Sequence, residues 1–129
     1  DLAGPLEAAG FAVAAHRLGA ADRADFDHAQ AAIVAVGDSA PAAAAQTRLW
    51  RLEMGDRPVP VLWVLPFASA ELAAAGLDAG ADAVLARPVE PAVLVAQVAA
   101  LARQRKRADA LVARRAEVRD LNARLQTAY

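Results

Sequence analysis

The feature that most constrains the fold is the stretch GADAVLARPVEP at residues 80–91. Its apolar centre, residues 83–86, predicts a short strand, and the Arg87-Pro88 step predicts a tight turn after that strand. Pro91 then stands where a helix would begin, a position that suits its fixed φ and its missing N–H. A strand that ends in a turn and leads into a helix indicates one β/α unit of an α/β domain.

Four apolar segments predict strands, at residues 11–15, 32–36, 61–65 and 83–86. Their apolar residues are largely continuous rather than alternating, which is typical of parallel strands covered on both faces. Helical patterns precede or separate them, at residues 2–9, 22–28 and 41–54 and from Ser69 to about Leu77. This alternation predicts a parallel sheet with right-handed crossovers, mostly buried strands and Trp63 inside.

Composition narrows the class of protein. The chain has 129 residues, enough for one domain with a real core, and a hydrophobic fraction of 57% with 5% aromatic residues indicates a core of Ala, Val and Leu. Because there is no cysteine, disulfide and thiolate chemistry are excluded, and we expect a cytoplasmic protein. The longest uncharged runs are shorter than a membrane span, so we expect no membrane partner.

The last predicted helix changes its apolar face part-way along. It runs from Pro91 without glycine or proline, and its first apolar residues are expected on the sheet: Val93, Leu94, Val98 and Leu101. A second set, out of phase with the first, has coiled-coil spacing: Leu111, Val118, Leu121 and Leu125, with Ala128. We therefore predict a globular domain at residues 1–102 and a helix at residues 103–129 that forms a parallel homodimer. Arg114 also occupies a seam position of this coil, where a charge weakens the pairing.

Charge is distributed unevenly along the chain. The net charge is −1, yet the segment after Leu101 carries eight basic and three acidic residues. Its basic run at residues 103–107 could contact nucleic acid or an anionic membrane, but no aromatic residues interleave it. We favour a solvated flank of the coiled coil and expect no direct binding of nucleic acid by this segment.

The segment GADAVLARP, residues 80–88, is similar to the fifth strand and following loop of response-regulator receiver domains, which usually read like GADDYLTKP. From about Leu6 to Ala102 the chain resembles such a CheY-like domain, the regulatory module of bacterial two-component phosphorelay signalling. The resemblance implies a flavodoxin-like, doubly wound sheet of strand order 2-1-3-4-5. It also implies a first strand, ending in two acidic residues, before the helix at residues 2–9. We expect that strand to lie upstream of Asp1, to be rearranged or to come from a partner chain.

The resemblance also indicates where receivers carry out phosphoryl transfer. In the family a proline lies four residues after the acceptor aspartate, so Pro41 places Gly37 at the acceptor position and Asp38 one residue late. Because successive strand residues point to opposite sides, the Asp38 carboxylate is expected to point away from the pocket. We favour a turn-forming role for Asp38 over a phosphoacceptor role.

The remaining positions of the resemblance also lack the family's groups. Leu65 stands at the hydroxyl position, Val84 at that of the switch aromatic, and Arg87 at that of the conserved lysine before the loop proline, Pro88. Arginine keeps the positive charge but changes its shape and hydration. By resemblance, the Arg87-Pro88 bond is expected to be cis. Such departures are those of degenerate receivers called pseudo-receivers, which work without phosphorylation.

We therefore expect a regulatory domain rather than an enzyme, without a cofactor, that passes a conformational signal through its dimeric helix to an output domain. The closing segment RDLNARLQTAY resembles the linker that often precedes PPM-type phosphatase domains. A histidine kinase, a diguanylate cyclase or an ANTAR module could equally follow such a helix.

Two other functions were weighed against this one. A functional phosphoacceptor receiver would use Asp38 and an acidic pair upstream of Asp1, and only then would Mg²⁺ be needed; the residues preceding Asp1 distinguish the two cases. A stand-alone enzyme lacks support, because the sequence contains no glycine-rich phosphate loop and no nucleophile with a base. The histidines, His16 and His28, have no metal-ligand spacing.

Overall fold

The computed structural model of the chain describes residues 2–14, 29–54 and 59–128, the last three by their backbone alone. Seven elements follow one another in these ranges: α1 (Ala3–Ala8), β1 (Ala32–Ala35), α2 (Ala40–Met54), β2 (Val61–Leu65), α3 (Ala70–Ala79), β3 (Ala83–Ala86) and α4 (Pro91–Ala128). From β1 onwards strands and helices alternate, so the predicted α/β class is confirmed.

The three strands form one parallel sheet in the order β1-β2-β3. In the register, Ala32 lies opposite Val61 and Leu62 lies opposite Ala83. The predicted parallel pairing of these strands is confirmed. Burial on both faces applies only to the central strand β2, whose five residues are all buried, whereas Ala35 at the end of β1 is exposed. Within the described ranges, no strand pairs with the outer edge of β1.

Helices cover both faces of the sheet. Alternate residues of β2 point to opposite faces, so Val61, Trp63 and Leu65 belong to one apolar cluster while Leu62 and Val64 belong to another. The first cluster includes buried residues of α2 and α3. The second joins β2 to α1 and to the first turns of α4, through Leu6, Leu94, Val98 and Leu101. The sheet is therefore the middle layer of three.

Trp63 is the largest fully buried side chain, as predicted for a residue inside the sheet. Its Nε1 donates a hydrogen bond of 3.0 Å to the Oγ1 of Thr47, and that hydroxyl donates to the carbonyl oxygen of Ala43 at 2.8 Å. Gly76 of α3 lies against the indole ring, since a Cβ at this position would be 2.7 Å from Cε3 of Trp63. The close approach of α3 to β2 thus depends on a residue without a side chain.

A polar link joins α2 to the amino-terminal ends of β2 and β3. The Nε of Arg51 donates to the carbonyl oxygen of Gly80 at 2.8 Å, and its guanidinium forms an ion pair with Asp82. The same Asp82 carboxylate accepts a hydrogen bond of 2.7 Å from the backbone N–H of Val61. Both charged side chains are 24% exposed, so the link is partly shielded from water. One carboxylate therefore connects three elements.

Serine side chains and glycines lie at the helix ends. Ser69 caps α3 by accepting from the N–H of Leu72 at 3.2 Å, and Gly80 ends that helix with a φ of 113°, which a glycine adopts without strain. Ser39 plays the corresponding part for α2, where its Oγ accepts from the N–H of Ala42 at 3.3 Å. Gly10, with a φ of 97°, lies two residues after the end of α1.

The predicted strand at residues 11–15 is wrong for its described part, residues 11–14, which are not in a strand. A strand exists only where a neighbour takes its backbone hydrogen bonds, and the N–H of Phe11 instead donates to the carbonyl oxygen of Leu6 at 3.0 Å. The Phe11 side chain packs against the cluster shared by α1 and α4. Ala15, His16, His28 and the helix predicted at 22–28 lie outside the described residues.

Helix α4 has 38 residues, which at 1.5 Å per residue gives a length of about 57 Å. Leu94, Val98 and Leu101 are buried as predicted, but Val93 is 46% exposed because it lies off the face that these three residues share. In the part of the chain that the structure describes, no helix has both the length and the apolar character needed to cross a membrane.

Candidate functional site

The carboxyl ends of the three strands meet at one edge of the sheet, because the strands are parallel. Val36 follows β1 and donates its N–H to the carbonyl oxygen of Val64 at 2.8 Å. On the other side of β2, the N–H of Arg87 donates to the carbonyl oxygen of Leu65 at 3.0 Å. The loops after β1 and β3 therefore flank the end of β2. Four of the positions that the resemblance compares with phosphoryl-transfer groups lie at or beside this edge: Gly37, Asp38, Leu65 and Arg87.

Leu65 ends β2 and is 1% exposed, within the cluster that contains Trp63. An apolar side chain in this place offers no hydrogen bond to a bound group. Val84 in β3 is half-buried and packs against the same cluster. Both residues therefore contribute to the core on the α2 and α3 side of the sheet. Neither presents a polar group at the carboxyl edge of the sheet.

Asp38 and Gly37 form the exposed turn between β1 and α2. The next residue, Ser39, caps α2, so the turn has a structural role in starting this helix. Gly37 does not have a positive φ, and a Cβ added there would meet nothing within 4 Å. Among the described residues, Asp38 forms no ion pair.

The loop after β3 carries the charge at the opposite end of the edge. The Arg87-Pro88 bond is cis, as the resemblance implied, and both side chains are exposed. Arg87 has no ion-pair partner within the ranges that the structure covers. Its guanidinium is therefore available to an anionic group from outside the domain.

Phe67, two residues after β2, is an exposed aromatic residue at the same edge that sequence reasoning missed. It is 59% exposed, and its only sequence signal was its place after a predicted buried strand. No group of three or more His, Cys, Asp or Glu side chains that could hold a metal ion occurs in the described parts of the chain. The edge thus combines an exposed carboxylate, an exposed guanidinium and an exposed aromatic ring around an apolar centre.

A second candidate surface lies on the distal half of α4. The four residues predicted for the coiled-coil seam are each at least half exposed: Leu111 at 57%, Val118 at 50%, Leu121 at 57% and Leu125 at 59%. We call these four residues the seam. They lie on one side of the helix, where an exposed apolar stripe of this kind marks a contact surface more often than a solvated one.

Arg105 marks the end of the part of α4 that packs on the domain. It is buried, and its Nε lies 3.4 Å from a carboxylate oxygen of Asp109 one turn further along. The prediction that residues 103–107 form a fully solvated flank is therefore wrong for Arg105, whose long aliphatic part extends the packed face beyond Leu101. The other basic residues of the run are exposed: Arg103, Lys106 and Arg107.

Comparison of the chain with protein-family models, with curated proteins and with solved structures gives no match. The functional argument therefore rests on the geometry of the sheet edge and of α4.

Proposed function

We propose that the chain is a receiver-like regulatory domain of a bacterial two-component signal transduction protein, of the flavodoxin-like fold. It works without phosphorylation and passes a conformational change along α4 to an output domain. The output domain would be one of the classes that follow such helices, a PPM-type phosphatase, a kinase, a cyclase or an ANTAR module. In this proposal the domain acts through side-chain packing and dimerisation and is not an enzyme.

The observation that supports the proposal most is the composition of the carboxyl edge of the sheet. In a receiver, the phosphoryl group needs an acceptor carboxylate, a hydroxyl and a cation at the ends of neighbouring parallel strands. Here the corresponding positions are an exposed glycine turn, a buried Leu65 and an arginine that has no ion-pair partner among the described residues. The edge thus has the parallel strand ends that the proposal requires, with no hydroxyl at Leu65 and no carboxylate at Gly37 to hold a phosphoryl group.

The proposed transmission depends on α4. Its first turns belong to the buried cluster that contains Leu62 and Val64 of the central strand, whereas the seam is exposed. A change in the packing of these first turns would therefore move the seam. Pairing of two copies in parallel would bury the seam and place both output domains on the same side.

Phosphorylation is the direct test. The chain is incubated with acetyl phosphate and Mg²⁺, and in parallel with beryllofluoride and Mg²⁺, and its intact mass and fluorescence are measured. We expect no stoichiometric gain of a phosphate and no saturable fluorescence change, because Leu65 and Gly37 offer no hydroxyl and no carboxylate. A stoichiometric gain that Asp38→Asn abolishes would contradict the proposal and favour the phosphoacceptor alternative.

A further inference from the structure

Three arginines accompany the apolar residues at the start of the seam. Leu111, Arg114, Arg115, Val118 and Arg119 together line a shallow depression of the helix surface that is open to solvent, which we call the groove. With 3.6 residues per turn, each residue advances by about 100°, which places Arg114 near the middle of the stripe formed by the seam. Arg115 and Arg119 lie along one margin of it. The groove therefore combines the apolar side chains of Leu111 and Val118 with three guanidinium groups.

No ion pair within the described chain engages the arginines of this groove. Asp120, next to Arg119 in the sequence, pairs with Arg124 at 3.1 Å, Asp109 lies beside Arg105, and Glu117, three residues after Arg114, forms no ion pair with it. No ion pair joins Arg114, Arg115 or Arg119 to any described residue. Three guanidinium groups thus remain available on one short stretch of an exposed helix.

Parallel pairing would concentrate this charge. In a two-fold symmetric parallel coil, each seam residue meets the same residue of the other copy, so Arg114 would face Arg114. Together with the neighbouring residues, six guanidinium groups would then lie within about one heptad. Like charges at such distances repel one another, and arginine is the side chain best suited to bind a phosphate-type oxyanion in two-point fashion.

We propose that the paired helix binds a multivalent oxyanion of the phosphate or diphosphate type between the two Arg114 side chains, and that this binding strengthens pairing. The inference rests on the parallel pairing of the proposed function and adds a ligand and a means of regulation to it. The bound anion offsets the repulsion between the two Arg114 guanidinium groups, which opposes dimer formation. The dimer of this chain would therefore respond to the chemical identity of the anion and not only to ionic strength.

The test compares dimer dissociation constants of the whole chain by sedimentation equilibrium, in sodium chloride and in sodium pyrophosphate at equal ionic strength. For a site with a dissociation constant of about 1 mM, 10 mM pyrophosphate is expected to lower the dimer dissociation constant by about tenfold. Arg114→Leu should pair more tightly in chloride and lose the response, because leucine suits this seam position. Lys106→Gln, which removes one charge at an exposed position outside the groove, should keep it.

The outcomes separate the proposed anion site from the proposed homodimer. A dimer that pairs equally well in both salts would overturn the anion site and leave the pairing intact. A monomer in both salts would overturn the anion site and the proposed homodimer together. A response that survives in Arg114→Leu would mean that the anion binds elsewhere, which also rejects this site. Pairing that occurs only in pyrophosphate would support it.

Discussion

At the scale of single residues, the tightest constraint is the contact between Gly76 and Trp63. The indole is fully buried, its N–H is bound by Thr47, and its ring leaves no space for a Cβ on the facing helix. Because the ring is fixed at one edge by a hydrogen bond and on its face by a helix, it has little freedom to move aside. Even a methyl group at Gly76 must therefore displace either the ring or α3.

Gly76→Ala is expected to lower the free energy of unfolding by about 1 kcal/mol. Overpacking of a core costs about 1–3 kcal/mol, and the better helix propensity of alanine offsets about 1 kcal/mol of that cost. Urea unfolding followed by tryptophan fluorescence measures the difference. Gly37→Ala is the matched control, since a Cβ there meets nothing within 4 Å. Equal stability of the two variants would show that the cost of displacing the ring is no larger than the gain of about 1 kcal/mol in helix propensity.

The sequence predicts the burial of a single residue where the apolar character of its segment is enough to decide it. Burial of Trp63 follows from its place in an apolar strand. The Gly76 contact and the Thr47 hydrogen bond do not, because they depend on which residues of α2 and α3 face one ring. Arg105 was missed for a related reason: a charged residue within a basic run indicates exposure, whereas its aliphatic part follows the buried face of α4.

At the scale of elements, Asp82 holds together parts of the chain that are distant in sequence. It pairs with Arg51 of α2 and accepts the N–H of Val61, a residue that is fully buried. Without this acceptor, the N–H of Val61 would lose a partner at a site that is partly shielded from water. We expect this hydrogen bond to contribute more to stability than the ion pair, because a partly buried donor without a partner is costly, whereas a partly exposed ion pair contributes little.

Asp82→Ala is expected to lower the free energy of unfolding by about 1–3 kcal/mol, because a buried donor is left unsatisfied. Asp82→Asn retains an acceptor oxygen while it removes the charge, so its loss should stay at about 1 kcal/mol or less. Thermal and urea unfolding of both variants measure the difference. The exposed Asp78, in α3, offers a control in Asp78→Ala, which should leave stability nearly unchanged. An asparagine variant as unstable as the alanine variant would assign the effect to the ion pair instead.

The strands show why some elements can be predicted and others cannot. The strand patterns at residues 32–36, 61–65 and 83–86 correspond to β1, β2 and β3, where each strand has a neighbour within the described chain. The similar pattern at residues 11–15 has no such neighbour over its described part, and its phenylalanine packs against the cluster that α1, α4 and β2 share. An apolar run indicates burial, but only a partner strand makes it part of a sheet.

At the scale of the whole molecule, we expect the chain to form a homodimer through the seam. Val118→Asp with Leu125→Asp places two charges on the seam of each copy, so the variant should be monomeric when the wild type is dimeric. Light scattering on both proteins measures the change. Leu52→Asp is the control, because Leu52 is 81% exposed and lies on α2, away from the seam. A monomeric wild type, or a seam variant that remains a dimer, would reject the proposed pairing.

Helix α4 joins the buried face and the seam without interruption, since neither glycine nor proline occurs in it after Pro91, its first residue. The azimuth of the seam about the helix axis is therefore fixed by the number of residues that separate it from Leu101. One extra residue between Lys106 and Ala110 would turn the seam by about 100°, whereas seven would return it to nearly the same direction about two turns further out. Natural or engineered variation in the length of this stretch should accordingly be tolerated in steps of seven and not in steps of one.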